Sequence, residues 1–275
     1  MLANSAATLP RGHFLVEPYL YDVSSSHSDG YGSLTYMLYG VSDRFTAGLV
    51  PVFGYTRVAG GPDSSGVEAG DVSVQAQYRL TQFPVESSLP TVSIQLQETL
   101  PTGKYDHLEN RPADGQGGGA YVTTLALNTQ TWFWLPNGRI LRMRLNVSQS
   151  FANAARVEGV SVYGTSEGFR GHARPGNALL VDAAWEYSLT RNWALALDLT
   201  WRQARATRVV GCDLSQADAP PVRTNSGAST AFGFAPAIEY NFSPRVGLLF
   251  GVRVIAGGHN TQKSVTPALA LNFVH

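Results

Sequence analysis

In residues 193–202 every second side chain is large and apolar, and those between are small, polar or charged. The apolar parity comprises Trp193, Leu195, Leu197, Leu199 and Trp201. A period of two predicts a β-strand with two unlike faces, because successive side chains of a strand point to opposite sides. The preceding run, 178–188, fits the same alternation, although Asp182 and Glu186 are four apart and could also share a helical face. Only residues 189–192 separate the runs, which indicates a hairpin.

This alternation recurs along the chain and predicts about twelve strands of roughly 8–13 residues. They cover 14–21, 33–39, 45–57, 70–80, 92–97, 121–131, 141–148, 178–188, 193–202, 232–240, 246–254 and 265–273. Proline interrupts four of them, at positions 18, 51, 236 and 267, which indicates bulges or weaker strands.

The connections between the predicted strands alternate between short and long. The short ones are 41–44, 81–90, 135–138, 189–192 and 243–245. The long polar ones are 22–30, 58–69, 101–119, 152–176, 209–227 and 256–264. Strict alternation places every long loop at one end of the strands. This asymmetry is typical of a bacterial outer-membrane barrel, with short periplasmic turns and long outer loops.

The composition also favours a membrane barrel over a soluble β-sandwich or a lipocalin-like barrel, the alternative for such a pattern. Charged residues make up 15% of the chain, against about 25% in soluble domains. No run approaches the ~20 apolar residues of a transmembrane helix. Twenty acidic and twenty basic residues balance, which gives no electrostatic case for nucleic acid binding. The single cysteine, Cys212, excludes an intramolecular disulfide.

We therefore predict an all-β fold, an up-and-down antiparallel transmembrane β-barrel with its apolar parity facing lipid. Ten charged side chains would face the lumen and line the pore: Glu17, Arg79, Arg142, Arg144, Asp182, Glu186, Asp198, Arg202, Glu239 and Arg253. They either pair across strands and fill the lumen or form a constriction that selects solutes. About twelve strands predict a narrow channel, which a loop such as 101–119 or 152–176 could plug.

Four stretches resemble a known family in the right order along nearly the whole chain. They are TLPRGHFLVEPYLYDV (8–23), GDVSVQAQYRL (70–80), ETLPTGKYDHL (98–108) and the closing residues 236–275. The family is that of outer-membrane transporters named for the meta-pathway of phenol degradation. The resemblance implies an outer-membrane β-barrel that passes small, often aromatic, organic compounds, and it implies no catalytic residues. Such barrels usually end on an aromatic residue read by the assembly machinery, whereas here Val274 and His275 follow Phe273.

Motifs for covalent or metal chemistry are weak in this chain. Ser166 lies in GTSEG, which matches the hydrolase pattern G-x-S-x-G but lacks the following helix that exposes the nucleophile. Four histidines fall in predicted outer loops without a short ligand spacing, at His27, His107, His172 and His259. We expect solvated loop residues there, no metal, no cofactor and no enzymatic activity.

The sequence thus predicts a bacterial outer-membrane channel for passive or facilitated diffusion of small, aromatic or hydrophobic, organic solutes. The alternatives are an outer-membrane enzyme acting on lipid or peptide and a closed structural or adhesive barrel. We expect a periplasmic segment over 1–12 and a single barrel with long outer loops over 13–275. No signal peptide is visible after Met1, so the numbering should begin near a processed end. Expected partners are outer-membrane lipids and lipopolysaccharide, the solute and the barrel-assembly machinery, and the oligomeric state is left open.

Overall fold

The computed structural model describes residues 3–83, 87, 89–215 and 220–275, which form an all-β structure with one short 3-10 turn at Pro112–Asp114. The strands are β1 (Phe14–Ser24), β2 (Ser28–Ser42), β3 (Phe45–Val50), β4 (Val52–Val58), β5 (Glu68–Ala69), β6 (Val72–Thr81), β7 (Thr91–Leu100), β8 (Val122–Trp134), β9 (Ile140–Ala152), β10 (Ala155–Glu158), β11 (Phe169–Arg174), β12 (Ala178–Ser188), β13 (Trp193–Ala204), β14 (Arg208–Asp213), β15 (Val222–Asn225), β16 (Ser229–Ser243), β17 (Val246–Gly257) and β18 (Ser264–Val274). In the described part of the chain no helix has the length and apolar character to cross a bilayer.

The barrel closes because β1 pairs antiparallel with both β2 and β18. Around the barrel the strand order is β1, β18, β17, β16, β13, β12, β9, β8, β7, β6, β3 with β4, and β2. Strands β3 and β4 both pair with β2 and form one barrel strand interrupted by Pro51, which has no amide hydrogen to donate. The predicted antiparallel barrel of about twelve strands is confirmed.

The two faces of the barrel strands have the predicted polarity. Leu195, Leu197 and Leu199 of β13 are 42%, 39% and 45% exposed, whereas Asp198 between them is fully buried. An aliphatic side chain left in water forgoes roughly 1.5–3 kcal/mol, so this outward belt requires hydrocarbon around it. The soluble-barrel alternative is therefore wrong. The helical alternative for 178–188 is also wrong, because that run is strand β12 in full register with β13.

One predicted long loop is absent as such. Residues 22–30 do not form a loop, because β1 extends to Ser24 and β2 begins at Ser28, and only three residues connect them. The connection is closed by the Ser25 amide, which donates to the Ser28 carbonyl at 3.0 Å. The polar residues that suggested a loop instead continue the hairpin past the apolar belt. Of the predicted short connection 81–90, residues 84–86 and 88 lie outside the described residues.

The longest loops carry a second sheet, which we call the outer sheet. It has the order β10-β11-β14-β15. These strands follow or precede β9, β12, β13 and β16 with two to three residues between, so the outer sheet extends that part of the barrel wall. One of its faces packs a small apolar core of Val157, Phe169, Ala173 and Val209 against Tyr105.

Candidate functional site: the barrel lumen

Three of the predicted lumen charges form one ion-paired cluster. Arg142 and Glu186 are cross-strand partners in the β9–β12 register. The Oε2 atom of Glu186 lies 3.3 Å from Nη1 of Arg142 and 3.6 Å from Nη2 of Arg144. All three side chains are largely removed from water. The guanidinium of Arg142 also lies 4.9 Å from the ring centre of Trp132.

Next to this cluster, towards the long-loop end of the strands, lies a row of buried acceptor oxygens. Asn128, Asn146 and Asp182 are register neighbours on β8, β9 and β12. The Oδ1 atom of each is buried and receives no hydrogen bond within the described part of the chain. Asp198, one strand further on, is fully buried as well. A buried acceptor without a donor costs about 1–3 kcal/mol, so this row favours a group that can donate hydrogen bonds.

The remaining predicted residues are spread over the barrel. Glu17 and Glu239 line a polar cavity of about 330 Å³ in the part of the lumen next to residues 3–9. Arg253 lines a second cavity of about 390 Å³. The structure does not bring Arg79 or Arg202 into the cluster: Arg79 lies at the short-turn rim, beside a cavity of about 210 Å³, and Arg202 is exposed near the outer end of β13.

The lumen has two unlike walls. Inward side chains of β6 to β9, β12 and β13 are mostly amides, hydroxyls and charges, and they include Gln75, Gln77, Gln95, Asn128, Asn146, Asp182 and Thr200. On the opposite wall, from β16 through β18 and β1 to β2, the lining of the 390 Å³ cavity is mainly apolar and aromatic, with Arg253, Ser264 and Thr266 as its polar members. Its lining includes Tyr19, Tyr21, Leu34, Ala237 and Ile255.

The N-terminal residues occupy the short-turn end of the lumen. Ser5 is at the centre of the contacts: its hydroxyl donates to Gln130 Oε1 at 3.0 Å and accepts from Arg142 Nη2 at 2.9 Å. Its carbonyl accepts from Gln77 Nε2 at 2.8 Å. The Ala6 amide donates to the same Gln130 oxygen at 3.2 Å, and the Ala6 side chain is fully buried.

Residues on either side of Ser5 bind the same wall. Arg144 Nη1 donates to the Ala3 carbonyl at 2.7 Å, and Asn146 Nδ2 donates to the Asn4 carbonyl at 3.0 Å. At the rim the Leu9 amide donates to Thr46 Oγ1 at 2.9 Å. The segment predicted as periplasmic, 1–12, thus has its residues 3–9 inside the barrel mouth. The side of the membrane on which it begins stays a prediction.

At the outer end, loop 101–121 folds over the lumen beside β4. Gln116 Nε2 donates to Thr56 Oγ1 at 3.2 Å, and a Cβ at Gly54 would clash with Gln116 Oε1. The Asp71 carboxylate accepts from the amides of Gly103 and Gly118 at 2.9 and 2.7 Å.

Tyr163 ties this loop to the outer sheet, because its hydroxyl donates to the Gly118 carbonyl. Burial, and after it the Asp71 charge, raises the pKa of Tyr163 to about 12, so the phenol stays protonated and remains a donor. Burial also raises the pKa of Tyr105, which packs on the outer-sheet core.

The loop motifs singled out in the sequence lie in connecting loops or in the outer sheet, outside the barrel strands. The Ser166 hydroxyl donates to Asp213 Oδ2 at 2.6 Å. His107 Nδ1 lies 3.2 Å from Asp106 Oδ1, and its side chain is exposed. His27 Nδ1 lies 2.7 Å from the hydroxyl of its neighbour Ser26. Cys212 is an exposed free thiol on β14.

Sequence reasoning missed two sets of lumen residues. The inward amides, such as Gln95 and Asn128, were on the predicted inward parity but were passed over because they carry no charge. The insertion of residues 3–9 had no sequence signal, because the segment lacks alternation and its partners lie on distant strands.

A family model described as "Putative MetA-pathway of phenol degradation" matches residues 2–268 of this chain. No curated protein matches the chain in sequence. Among solved structures, an outer-membrane channel from Pseudomonas putida F1 is similar over 100% of both chains, with a TM-score of 0.76 and 13% identity.

Two further structures share the fold at lower similarity. The NanC porin aligns with a TM-score of 0.55 and 12% identity, covering 94% of this chain and 98% of the porin. The β domain of the Bordetella autotransporter BrkA aligns with a TM-score of 0.52 and 12% identity, covering 96% and 100%. At such identities the likeness concerns the fold: this chain is folded as an outer-membrane β-barrel.

Proposed function

The chain belongs to the family described as "Putative MetA-pathway of phenol degradation", and from that premise we propose that it is an outer-membrane channel for small aromatic or hydrophobic organic solutes. Solutes would diffuse down their concentration gradient. The single observation that carries the proposal is the division of the lumen into a polar wall and an apolar, aromatic wall.

The apolar wall has the size and chemistry for an aromatic ring. Its cavity measures about 390 Å³ and is lined by Tyr19, Tyr21, Leu34 and Ile255 among others. A dry apolar cavity of about 150 Å³ is enough to hold benzene. A substituted ring therefore fits against this wall, and burying its apolar surface is favourable at about 25 cal/mol per Å².

The polar wall suits the other end of such a solute. The unsatisfied oxygens of Asn128, Asn146 and Asp182 can accept from a hydroxyl or an ammonium group. The arginine cluster near the N-terminal segment can contact a carboxylate. We propose that the predicted pore-lining charges act here by orienting the polar end of the solute, in addition to fixing the register of the strands.

The arrangement supports passage without a covalent step. Arg142 and Arg144 each pair with Glu186, and each donates a hydrogen bond to the N-terminal segment. This favours a channel over an outer-membrane enzyme acting on lipid or peptide. As partners we propose the surrounding outer-membrane lipids and the barrel-assembly machinery in addition to the solute.

The test is a permeability ratio measured in planar bilayers under bi-ionic conditions, with 4-hydroxybenzoate on one side and gluconate on the other. Both are monovalent anions of similar size, so the reversal potential reports preference for the aromatic ring. We expect the wild-type channel to prefer 4-hydroxybenzoate. Leu34→Gln, in the apolar cavity, should lower the ratio severalfold.

The matched control is Leu15→Gln, the same substitution on the neighbouring strand but in the polar cavity, which should leave the ratio unchanged. A wild-type channel that passes gluconate as readily as 4-hydroxybenzoate would contradict the proposal. An equal loss of preference in both variants would contradict the role of the apolar wall.

A further inference from the structure

One face of the outer sheet is basic. Its strands alternate, so that apolar residues such as Phe169, Ala173 and Val209 pack into the core on one side. The other side presents six basic side chains: Arg156, Arg170, His172, Arg174, Arg208 and Arg223. All six are exposed. We call this surface the basic face.

The register brings like charges next to one another. Arg174 of β11 and Arg208 of β14 are direct cross-strand partners. Arg156 pairs with His172, and Val210 lies between His172 and Arg223. Like charges directly opposite each other destabilise a sheet. The sequence tolerates this cost, which an anion bridging the arginines would remove.

The basic residues have too few acidic partners. Glu158 pairs with Arg156 at 2.6 Å and with Arg170 at 3.7 Å. Within the part of the chain that the structure describes, Arg174, Arg208 and Arg223 make no ion pair. Three guanidinium groups with free donors thus share one surface, and guanidinium forks match phosphate oxygens in geometry and charge.

The position of the basic face indicates where the anions come from. The outer sheet extends the barrel wall, and its apolar side packs on Tyr105 of the loop that covers the lumen. The basic face is the side of the outer sheet opposite to that contact. Arg174 is separated from Ala178, where β12 begins, by three residues, a chain length of at most about 14 Å. Lipid headgroups occupy the first several ångströms beyond the hydrocarbon.

We propose that the basic face binds the phosphate groups of lipopolysaccharide in the outer leaflet. The glucosamine disaccharide headgroup of that lipid carries a phosphate at each end, and arginines on neighbouring strands about 4.8 Å apart lie close enough to share one phosphate. Basic clusters just outside the hydrocarbon bind anionic headgroups in this way. The guanidinium groups of Arg174 and Arg208 together bind one phosphate, and the guanidinium group of Arg223 binds the second.

The experiment measures binding of bisphosphorylated lipid A to the full-length protein in neutral detergent, by native mass spectrometry and by thermophoresis. The test variant is R174Q/R208Q/R223Q. The matched control is R44Q/R191Q/R245Q, which removes the same number of exposed arginines from the short turns at the other end. Heat-modifiable migration in gels verifies that each variant is a folded barrel.

We expect the test variant to bind lipid A at least tenfold more weakly than wild type, and the control to remain within twofold. Wild-type binding should weaken as salt rises, since exposed charges are screened. Val210→Glu places a carboxylate among the arginines without removing any of them, and it should weaken binding as well, so the proposal stays testable if the triple variant does not fold.

Two results would overturn the proposal. One is equal binding of lipid A by wild type and by both test variants. The other is inorganic pyrophosphate binding the wild-type protein as tightly as lipid A, which would make the basic face a site for free phosphate rather than for a lipid.

Discussion

Different interactions hold the segments that lie at the two ends of the lumen. At the short-turn end, residues 3–9 are held almost entirely by hydrogen bonds to polar side chains of the wall. At the outer end, loop 101–121 and the outer sheet share an apolar core that includes Phe169 and Val157.

Because of this difference, residues 3–9 can detach from the wall more easily than loop 101–121 can separate from the outer sheet. Ordering a backbone residue costs about 1–2 kcal/mol, while a hydrogen bond contributes only about 0.5–1.5 kcal/mol net, because water can replace it. The net free energy that holds the N-terminal segment in place is therefore small. The outer core buries apolar side chains, whose contacts water cannot replace. We infer that solute flow is controlled at the short-turn end.

Removing residues 3–9 should have the largest effect on conduction. The lower lumen loses the segment that fills it, and Arg142 and Arg144 become available to mobile ions. We expect single-channel conductance to rise roughly threefold or more, because a wider polar constriction passes hydrated ions more readily. Planar-bilayer recording of the folded barrel measures this. An unchanged conductance would mean that the lumen is closed elsewhere.

Phe169→Ala should loosen the outer end without unfolding the barrel. Truncating a buried Phe costs about 3–5 kcal/mol, and here the loss falls on the small core of the outer sheet. We expect faster amide hydrogen exchange in residues 155–174 and 208–213 and little change in β12 or β13. Val210→Ala, on the exposed face of the same sheet, is the control and should leave exchange as in wild type. Equal acceleration in the barrel strands would contradict separate closure of the two ends.

Ser5→Ala tests how weakly the N-terminal segment is held. The change removes the hydroxyl that links Gln130 to Arg142, and a loss of about 1 kcal/mol corresponds to a factor of roughly five in an equilibrium. We expect the channel to open about fivefold more often at unchanged conductance. Ala7→Ser, which adds a hydroxyl at an exposed position nearby, should not alter the gating. A drop in opening with Ser5→Ala would show that the bond favours the open state.

The barrel could be predicted from the sequence because its determinant is local. Lipid on one side and water or charge on the other impose alternation on each strand, as in Trp193 to Trp201. The alternation of short and long connections indicates at which end of the barrel each connection lies. The predicted loop 22–30 shows the limit: its serines and glycines suggest a loop, yet pairing between β1 and β2 continues to Ser24 and Asp29. The predicted loops 152–176 and 209–227 likewise contain the strands of the outer sheet. Outside the membrane, polar residues occur in strands as well as in loops, so polarity does not tell the two apart there.

The contents of the lumen were predicted only in part. Parity identified inward charges such as Arg142 and Glu186, whose ion pair follows from register. The acceptor row of Asn128 and Asn146 and the insertion of residues 3–9 depend on contacts between segments as many as 142 positions apart. No local pattern encodes such contacts. They arise because a closed barrel brings distant inward side chains around one axis.

The smallest expected effect concerns the outer end alone. Hydrogen bonds from Ser166 and Ser215 hold the pKa of Asp213 below its ordinary value. A carboxylate with a lowered pKa in the folded state stabilises its surroundings above the unfolded pKa, and this contribution disappears as the pH falls through the folded pKa.

Ser166→Ala should therefore raise the pKa of Asp213 and slightly increase local opening of β14 at neutral pH. Variant and wild type should become alike once the pH is low enough to protonate Asp213 in both. Carboxyl carbon NMR titration gives the pKa, and amide exchange in β14 at two pH values gives the opening.

Ser226→Ala, at the opposite end of the outer sheet, serves as the control for a general loss of a serine hydroxyl. Because Asp213 is only partly buried, solvent screens its interactions, and neither channel conductance nor barrel stability should respond. If conductance did respond, the outer end would be coupled to the gate, and the separation of the two closures would fail.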